Sequence, residues 1–508
     1  MPNRASSTPP ATLWTTSLDR ALPVPLSRQL AVALREALAE GRIEANARLP
    51  STRALAQELG LARSTIVGVF EQLAAEGYIT GRPGSGYFAA ASLGDPAPRG
   101  RIEPVVTRPL SRYGERLRRH ASYSPSHRRP FELGQVEVDG GLMTTWKRLA
   151  SRVLSSRSSL AWNYGDPQGE PSLRRAIADY LAAARGVRCR PEQIVLTSGT
   201  QQGLSLTTQV AVDPGDIAWV EDPCYRSTFD ILDAVPAEIV PVPVDEDGLD
   251  IAAGSRRDAR RPRLVYTTPS RQYPLGMAMP LARRVALLGF AAQTGAWIVE
   301  DDYESEFQAP GQMLPSLQGL DRAGRVIYLG TFSKLLFPSL RLGYAVLPED
   351  LVASFAGARH LADRQSSGLI QAIMTEFMLD GHFARHLKRM RARYAERQRF
   401  LVDRLSRGLG DLVDIPPVES GMYLTVWLPW EWSDQAVAAA LMAAGVSTVP
   451  LSSLTLETPR RPGLVLGYSG HHETAISRAV ETMARVLSSP TGLATFQKPD
   501  LRPDRLRA

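Results

Sequence analysis

Cysteine is nearly missing from this chain: Cys189 and Cys224 are the only two in 508 residues. They make neither a disulfide framework nor a metal-ligand set, so the expected compartment is a reducing cytoplasm and no metal is expected. Long apolar runs are missing too. No stretch approaches the ~18 consecutive apolar residues of a membrane span. The opening MPNRASSTPPATLW has no apolar core of a signal peptide, so no secretory leader is expected. Lysine is the third scarcity: of 59 basic side chains, four are lysines, namely Lys147, Lys334, Lys388 and Lys498.

What is present is ordinary in bulk. Hydrophobic residues make up 44% and charged residues 22%, as in soluble globular proteins. At ~150 residues per domain the length implies two to four domains. The net charge of +7 is unevenly placed. Residues 18–92 hold eight arginines against seven acids, whereas 93–130 hold nine against three. That second, Pro/Arg/Ser-rich segment reads as a solvated linker, with contact to DNA phosphates or to the slightly acidic remainder as the sharper reading.

Residues 18–92, after a tail of 1–17, have the pattern of a small helical module. Leu26, Leu30, Leu34 and Leu38 recur every fourth position and predict an amphipathic helix stopped by Gly41. Ser51 then caps a helix carrying Leu55 and Leu59 up to Gly60. A further helix is predicted from Ser64, with Ile66, Phe70 and Leu73 inward and an end at Gly77. YITGRPGSGYFA alternates as strands around a Pro83-Gly84-Ser85-Gly86 tip. Helix, helix-turn-helix and hairpin make a winged helix.

From 131 to 488 the texture changes. QIVLTSG, DIAWVED, RLVYTT, WIVEDDY and VIYLGTFS are strand-like runs alternating with helical or loop patterns. This rhythm predicts an α/β domain with a mostly parallel sheet, its site at the carboxyl ends of the strands. Lys334 follows one such end in LGTFSKLLFPSLRLGY. A carbonyl group can be held as an aldimine only by an amine able to lose its proton, which lysine can do and arginine cannot. Lys147 and Lys388 sit in arginine-flanked helical patterns, and Lys498 lies in the polar tail 489–508. The helix start in TSGTQQGL offers backbone N–H groups of Gly199, Thr200 and Gln201 to a phosphate.

RLPSTRALAQELGLARSTI, FEQLAAEGYI and RPGSGYF resemble the GntR family of bacterial regulators, over roughly 25 to 90. The resemblance implies DNA binding. Arg63, Ser64 and Thr65 would enter the major groove, and Arg48 and Arg53 would meet phosphates near the capping Ser51. Arg82, Gly84 and Gly86 would form the wing tip. The order of motifs after 131 resembles fold-type I aminotransferases, enzymes of pyridoxal 5′-phosphate (PLP). Joined in this order, the halves resemble MocR/GabR-type transcriptional regulators.

That resemblance implies further roles. Thr331, Ser333 and Arg341 would join the phosphate set, with Arg341 supplying a bidentate charge. Asp301 would face the pyridine nitrogen, with Asp302 as its rival, and Tyr303 would reach the ring hydroxyl. Tyr225 would stack on the ring. Tyr164 would reach the phosphate of a neighbouring subunit, which implies a homodimer. Two positions depart from the aminotransferase pattern: SRQYPLG has Tyr273 where an asparagine is usual, and GLVLGYSG has Val465 where an arginine clamps the substrate carboxylate. Arg460, Arg461 or Arg226 are the substitutes the sequence offers.

The reading favoured is a PLP-dependent regulator that senses the cofactor, or an amine or amino acid that displaces Lys334 from it, and so rearranges its two DNA-binding heads. A working aminotransferase with an accessory DNA-binding domain is the alternative. A body that has lost PLP and serves only as a dimer scaffold is a third, opposed by the joint retention of Lys334, Asp301 and Arg341.

Overall fold

The leucine spacing at the start folds into α1 (Leu26–Ala39), which buries Leu30, Leu34 and Leu38. The computed structural model describes residues 18–90, 108–121, 128–156, 162–308, 314–417, 421–457, 461–489 and 496–497. Ser51 caps α2 (Thr52–Leu59) by accepting a hydrogen bond from Ala54 N at 3.1 Å, and Gly60 ends it at φ 62°. The next helix, α3 (Arg63–Ala75), begins one residue before the expected start. The chain is already extended at Ala62, so the helix starts at Arg63 without a side-chain cap and Ser64 lies in its first turn. Ile66, Val69, Phe70 and Leu73 of α3 are buried and share one core with the faces of α1 and α2.

Strands β1 (Ile79–Arg82) and β2 (Gly86–Ala89) pair antiparallel with Arg82 opposite Gly86, leaving Pro83, Gly84 and Ser85 at the tip. This is the winged helix read from the sequence. The first of two compact units ends at Pro109 and the second begins at Leu110.

The second unit opens on α4 (Arg112–Arg119), whose cap Ser111 accepts from Gly114 N at 3.0 Å. Its central sheet contains β3 (Ile194–Thr197), β4 (Ile217–Asp222), β5 (Glu238–Asp245), β6 (Gly248–Leu249), β7 (Leu264–Thr267), β8 (Trp297–Asp302), β9 (Val326–Thr331) and β10 (Gly343–Val346). The order is β3-β10-β9-β8-β7-β4-β5-β6. From β5 through β4, β7 and β8 to β9 every pairing is parallel, and β10 runs antiparallel between β9 and β3. Continuous runs such as WIVEDD are buried throughout, as strands covered on both faces require. A smaller antiparallel sheet follows, of β11 (Tyr423–Trp427), β13 (Gly463–Gly467) and β12 (Val449–Pro450) in that order.

Helix α5 (Thr200–Ala211) follows β3, and α6 (Arg226–Ala234) follows β4. The plain linker expected over 93–130 therefore needs correction, because α4 is an ordered helix seated on α6. Arg116 donates to Asp233 O at 3.3 Å, and Arg119 pairs with the Asp233 carboxylate at 3.2 Å. His120 lies 3.1 Å from Asp233 and 3.4 Å from Asp230. Part of the basic surplus has thus found acidic partners on the body. Among the described residues no helix is long and apolar enough to cross a membrane, and no cluster of potential metal ligands occurs.

Candidate functional site

The carboxyl ends of β3, β4, β7, β8 and β9 open onto a cavity of about 370 Å³. Its lining gathers Gly199, Thr200, Gln201, Tyr225, Asp301, Tyr303, Thr331, Ser333, Lys334 and Arg341. These residues come from separate loops, and the parallel sheet is what brings them together.

One end could hold an anion. Gly199 caps α5 at φ 119°, a conformation that favours glycine, and aims the first N–H groups of that helix outward. A Cβ placed on Gly199 would stand 3.8 Å from Thr331 Oγ1 and 4.0 Å from Arg341 Nη1. Arg341 itself is held at φ 48°, a strained position for a side chain of its size. Thr331 Oγ1 accepts from Ser333 N at 3.1 Å, while Ser333 Oγ is buried with no hydrogen-bond partner among the described residues.

Lys334 stands in the middle. Burial pushes its ammonium below the usual range; Glu304 and Asp301 oppose this and the Arg341 charge adds to it. A buried amine with a depressed pKa is the form that attacks a carbonyl. A Cβ on Gly134, which sits at φ 80°, would lie 2.9 Å from Nζ, so a larger residue there would displace the lysine's amine.

At the other end, Asp301 Oδ2 accepts from Tyr266 Oη at 2.8 Å, and its Oδ1 is buried without a partner among the described residues. Burial pushes this carboxyl up to about 7. Its rival Asp302 belongs elsewhere: it does not line the cavity, and it pairs with the buried Arg185 at 2.9 Å and accepts from Tyr328 Oη at 2.7 Å.

The raised Asp301 carries a measurable consequence for the cofactor-free protein. A carboxyl that is neutral to about pH 7 when folded but ionises near 4 when unfolded opposes folding increasingly as pH rises between those values. The full penalty above pH 7 is on the order of 4 kcal/mol. Asp301→Asn should therefore raise the melting temperature of the cofactor-free protein more at pH 8 than at pH 5. Equal gains at both pH values would contradict this assignment.

Tyr303 Oη donates to Arg271 O at 3.1 Å and lies 2.6 Å from Tyr423 Oη. Tyr225, the residue before α6, reaches Tyr273 edge-to-face at 6.1 Å between ring centres. Tyr164 is not in the lining; it is 81% exposed, with the Arg364 guanidinium 4.7 Å from its ring centre.

Several lining residues were not foreseen. Tyr266, Thr268, Glu304, Met422 and Tyr423 all face the cavity. Glu304 pairs with Arg271 at 2.6 Å, both side chains almost wholly buried. The signal was present for this pair, since SRQYPLG places one arginine in an otherwise uncharged motif and WIVEDDYESEF crowds five acids at a strand end.

The two departures are also positioned. Tyr273 lines the cavity. Val465 is fully buried in β13, opposite Thr425 and Val449. Arg461 pairs instead with Asp414, and Arg226 with Asp230 at 3.4 Å. Arg460 lies outside the described residues.

In the first unit, Arg48, Ser51, Arg53, Arg63, Ser64, Arg82, Gly84 and Gly86 are exposed and Thr65 is half-buried. Among the described residues Arg48, Arg53, Arg63 and Arg82 enter no ion pair, whereas Arg35 pairs with Glu76 at 2.7 Å. Arg63 Nε reaches Thr52 Oγ1 at 3.5 Å. At the wing, Arg82 stacks 4.4 Å from the Phe88 ring centre, and the Arg48 guanidinium lies 3.8 Å from the Cβ position of Gly86. Unneutralised arginines around a helix N-terminus and a wing form a surface that attracts phosphates.

Comparison with known proteins matches both units. Residues 26–88 match the bacterial regulatory proteins of the gntR family, and 129–482 match aminotransferase class I and II. The chain is 38% identical to the probable rhizopine catabolism regulatory protein MocR of Rhizobium meliloti, covering 89% of this chain and 92% of that one. It is 34% identical to the HTH-type transcriptional regulator TauR of Rhodobacter capsulatus, covering 73% and 78%. Among solved structures it is similar to LysN, the alpha-aminoadipate aminotransferase of Thermus thermophilus, with a TM-score of 0.66, 29% identity, and 72% and 92% coverage. With a gntR winged helix joined to an aminotransferase class I and II body, the chain belongs to the MocR/GabR-type transcriptional regulators.

Proposed function

We propose that this regulator holds pyridoxal 5′-phosphate covalently at Lys334 and that the state of that site sets how its heads engage DNA. The observation that carries the reading is that two buried, unsatisfied atoms, Asp301 Oδ1 and Ser333 Oγ, belong to residues lining the same cavity as Lys334. Buried polar atoms without partners are costly, and a ligand with a protonated ring nitrogen at one end and a phosphate at the other satisfies both. When bound, the cofactor supplies an electrophilic carbon for amines and an electron-withdrawing ring.

The chain's own residues divide the work. The α5 N-terminus (Gly199, Thr200, Gln201) with Thr331, Ser333 and Arg341 would bind the phosphate. Asp301 would keep the ring nitrogen protonated, which also draws its own raised pKa back down. Tyr225 would cover one ring face, and Tyr303 would hold the ring hydroxyl. Exposed Tyr164 fits a contact made across a homodimer. PLP itself, or an amine or amino acid competing with Lys334, is the effector.

Transmission has a route within the body. Tyr225 stands at the start of α6, and the same helix carries Asp230 and Asp233, which grip α4. Chain that continues from α4 toward the winged helix would feel a shift of α6. The test is operator binding by the full-length protein with and without PLP. A clear difference is expected in wild type, and it should shrink in Asp233→Ala while cofactor absorbance stays intact. Identical binding with and without PLP in wild type would sink the reading.

DNA contacts are tested separately. Arg63→Ala or Thr65→Ala should relax sequence preference, costing about 1–3 kcal/mol on the preferred site. Arg53→Ala should weaken binding to all sequences and lower the salt slope by about 1. The fragment 1–92 should bind more weakly than the dimer, because a lone head reaches one half-site.

A further inference from the structure

Among the described residues, the amine end of the cavity has no free cation. The lining cations are Lys334 and Arg341, and the reading above commits both. Arg271 is buried outside the lining: its Nε lies 2.6 Å from Glu304 without forming a hydrogen bond, its Nη2 donates to Tyr423 O at 3.0 Å, and its guanidinium lies 4.9 Å from the Tyr423 ring centre. It is also pressed against Gly421, where a Cβ would come within 2.5 Å of its Cζ. Arg271 therefore lacks the freedom to swing toward a ligand.

What faces the amine end is aromatic and apolar. Tyr273 meets Tyr225, Tyr303 and Tyr423 edge-to-face at 6.1, 6.1 and 5.3 Å. Val465 backs this group, buried in a cluster with Tyr423 and Leu454. Tyr303 and Tyr423 Oη lie 2.6 Å apart and also reach Arg271 O and Gln272 O, but among the described residues Tyr273 Oη meets no partner. Glu304 also lines the cavity, and with its carboxyl pushed up to about 7 by burial it supplies no positive charge.

From this charge balance we infer that the site selects primary amines that carry no carboxylate, with a neutral hydroxylated or aromatic body resting on the tyrosine cluster. The inference rests on the proposed PLP linkage at Lys334. In the exchange, the incoming nitrogen bonds to the carbon that Lys334 Nζ releases, the protons it sheds pass to Nζ, and nothing is oxidised or reduced. A carboxylate brought into this end would face Glu304 and the tyrosine rings with no cation to offset its desolvation. Recognition of the neutral body falls to ring faces and to the spare hydroxyl of Tyr273.

The experiment is titration of the full-length, PLP-loaded protein, followed by the visible absorbance of the bound cofactor. Three matched pairs are compared: ethanolamine with serine, tyramine with tyrosine, and phenethylamine with phenylalanine. At least one amine should perturb the band at a concentration roughly tenfold or more below its acid, the scale of an uncompensated charge. Tyr273→Phe should weaken the hydroxylated amines by roughly three- to tenfold. Acids that bind as well as their amines, or a band that no probe moves, would overturn the inference. A protein that acquires no such band on loading overturns the linkage at Lys334 instead, so the two failures are distinguishable.

Discussion

Lys334→Ala should abolish covalent retention of PLP, whereas Lys147→Ala and Lys388→Ala should leave it intact. Reduction of the wild-type protein with borohydride, followed by peptide mapping, should place the whole adduct on the peptide containing Lys334. The physical case is one of environment. Lys147 and Lys388 are exposed on helices, and neither lines the cavity that would hold the rest of a cofactor. Lys334 is half-buried just beyond β9 and lines the same cavity as Thr200 and Asp301, its ammonium disfavoured by desolvation and by Arg341. Among the described lysines, a disfavoured ammonium and a cavity for the proposed cofactor coincide only at Lys334. An adduct on Lys147 or Lys388 would refute the assignment, and so would undiminished covalent loading of Lys334→Ala.

Much of this site was legible because its residues are set by local rules. A strand followed by small residues and a lysine, a glycine-led helix start, and a carboxylate closing a buried strand each announce themselves within a dozen residues. The alternation of runs then implies that such ends meet on one edge of a parallel sheet. The choice between Asp301 and Asp302 was different in kind. Neighbouring residues on a strand point to opposite faces, and only the location of Arg185 and Tyr328 shows which face is already satisfied.

Tyr423 was illegible for a similar reason, because β11 reaches the cavity from the smaller sheet, far along the chain. The helix within 93–130 was missed because a run of arginines reads as solvated unless its acidic partners are known. Asp230 and Asp233, which hold α4, lie more than a hundred residues away in the sequence.

Steady-state transamination should be slow or absent with common amino acids, even where an added amine changes the visible spectrum. Sensing requires only that a ligand bind two conformations with different affinity. Turnover requires more: the Cα–H bond must be held perpendicular to the cofactor ring, the carboxylate fixed, and Lys334 poised to move the proton. Here Val465 occupies the usual place of the carboxylate clamp, Tyr273 replaces an asparagine, and Arg271 is locked to Glu304. On the proposed reading Lys334 and Asp301 would supply the electronic part of the machinery, while no described residue takes over the positioning part. Loss of one charge-assisted bidentate contact is worth ~3 kcal/mol, or roughly two orders of magnitude in rate. Multiple-turnover assays across a panel of amino acids and keto acids should therefore give rates well below the ordinary enzyme range. A turnover number of about 1 per second or more on any common pair would show that positioning survives by another route, and would return the protein to the working aminotransferases.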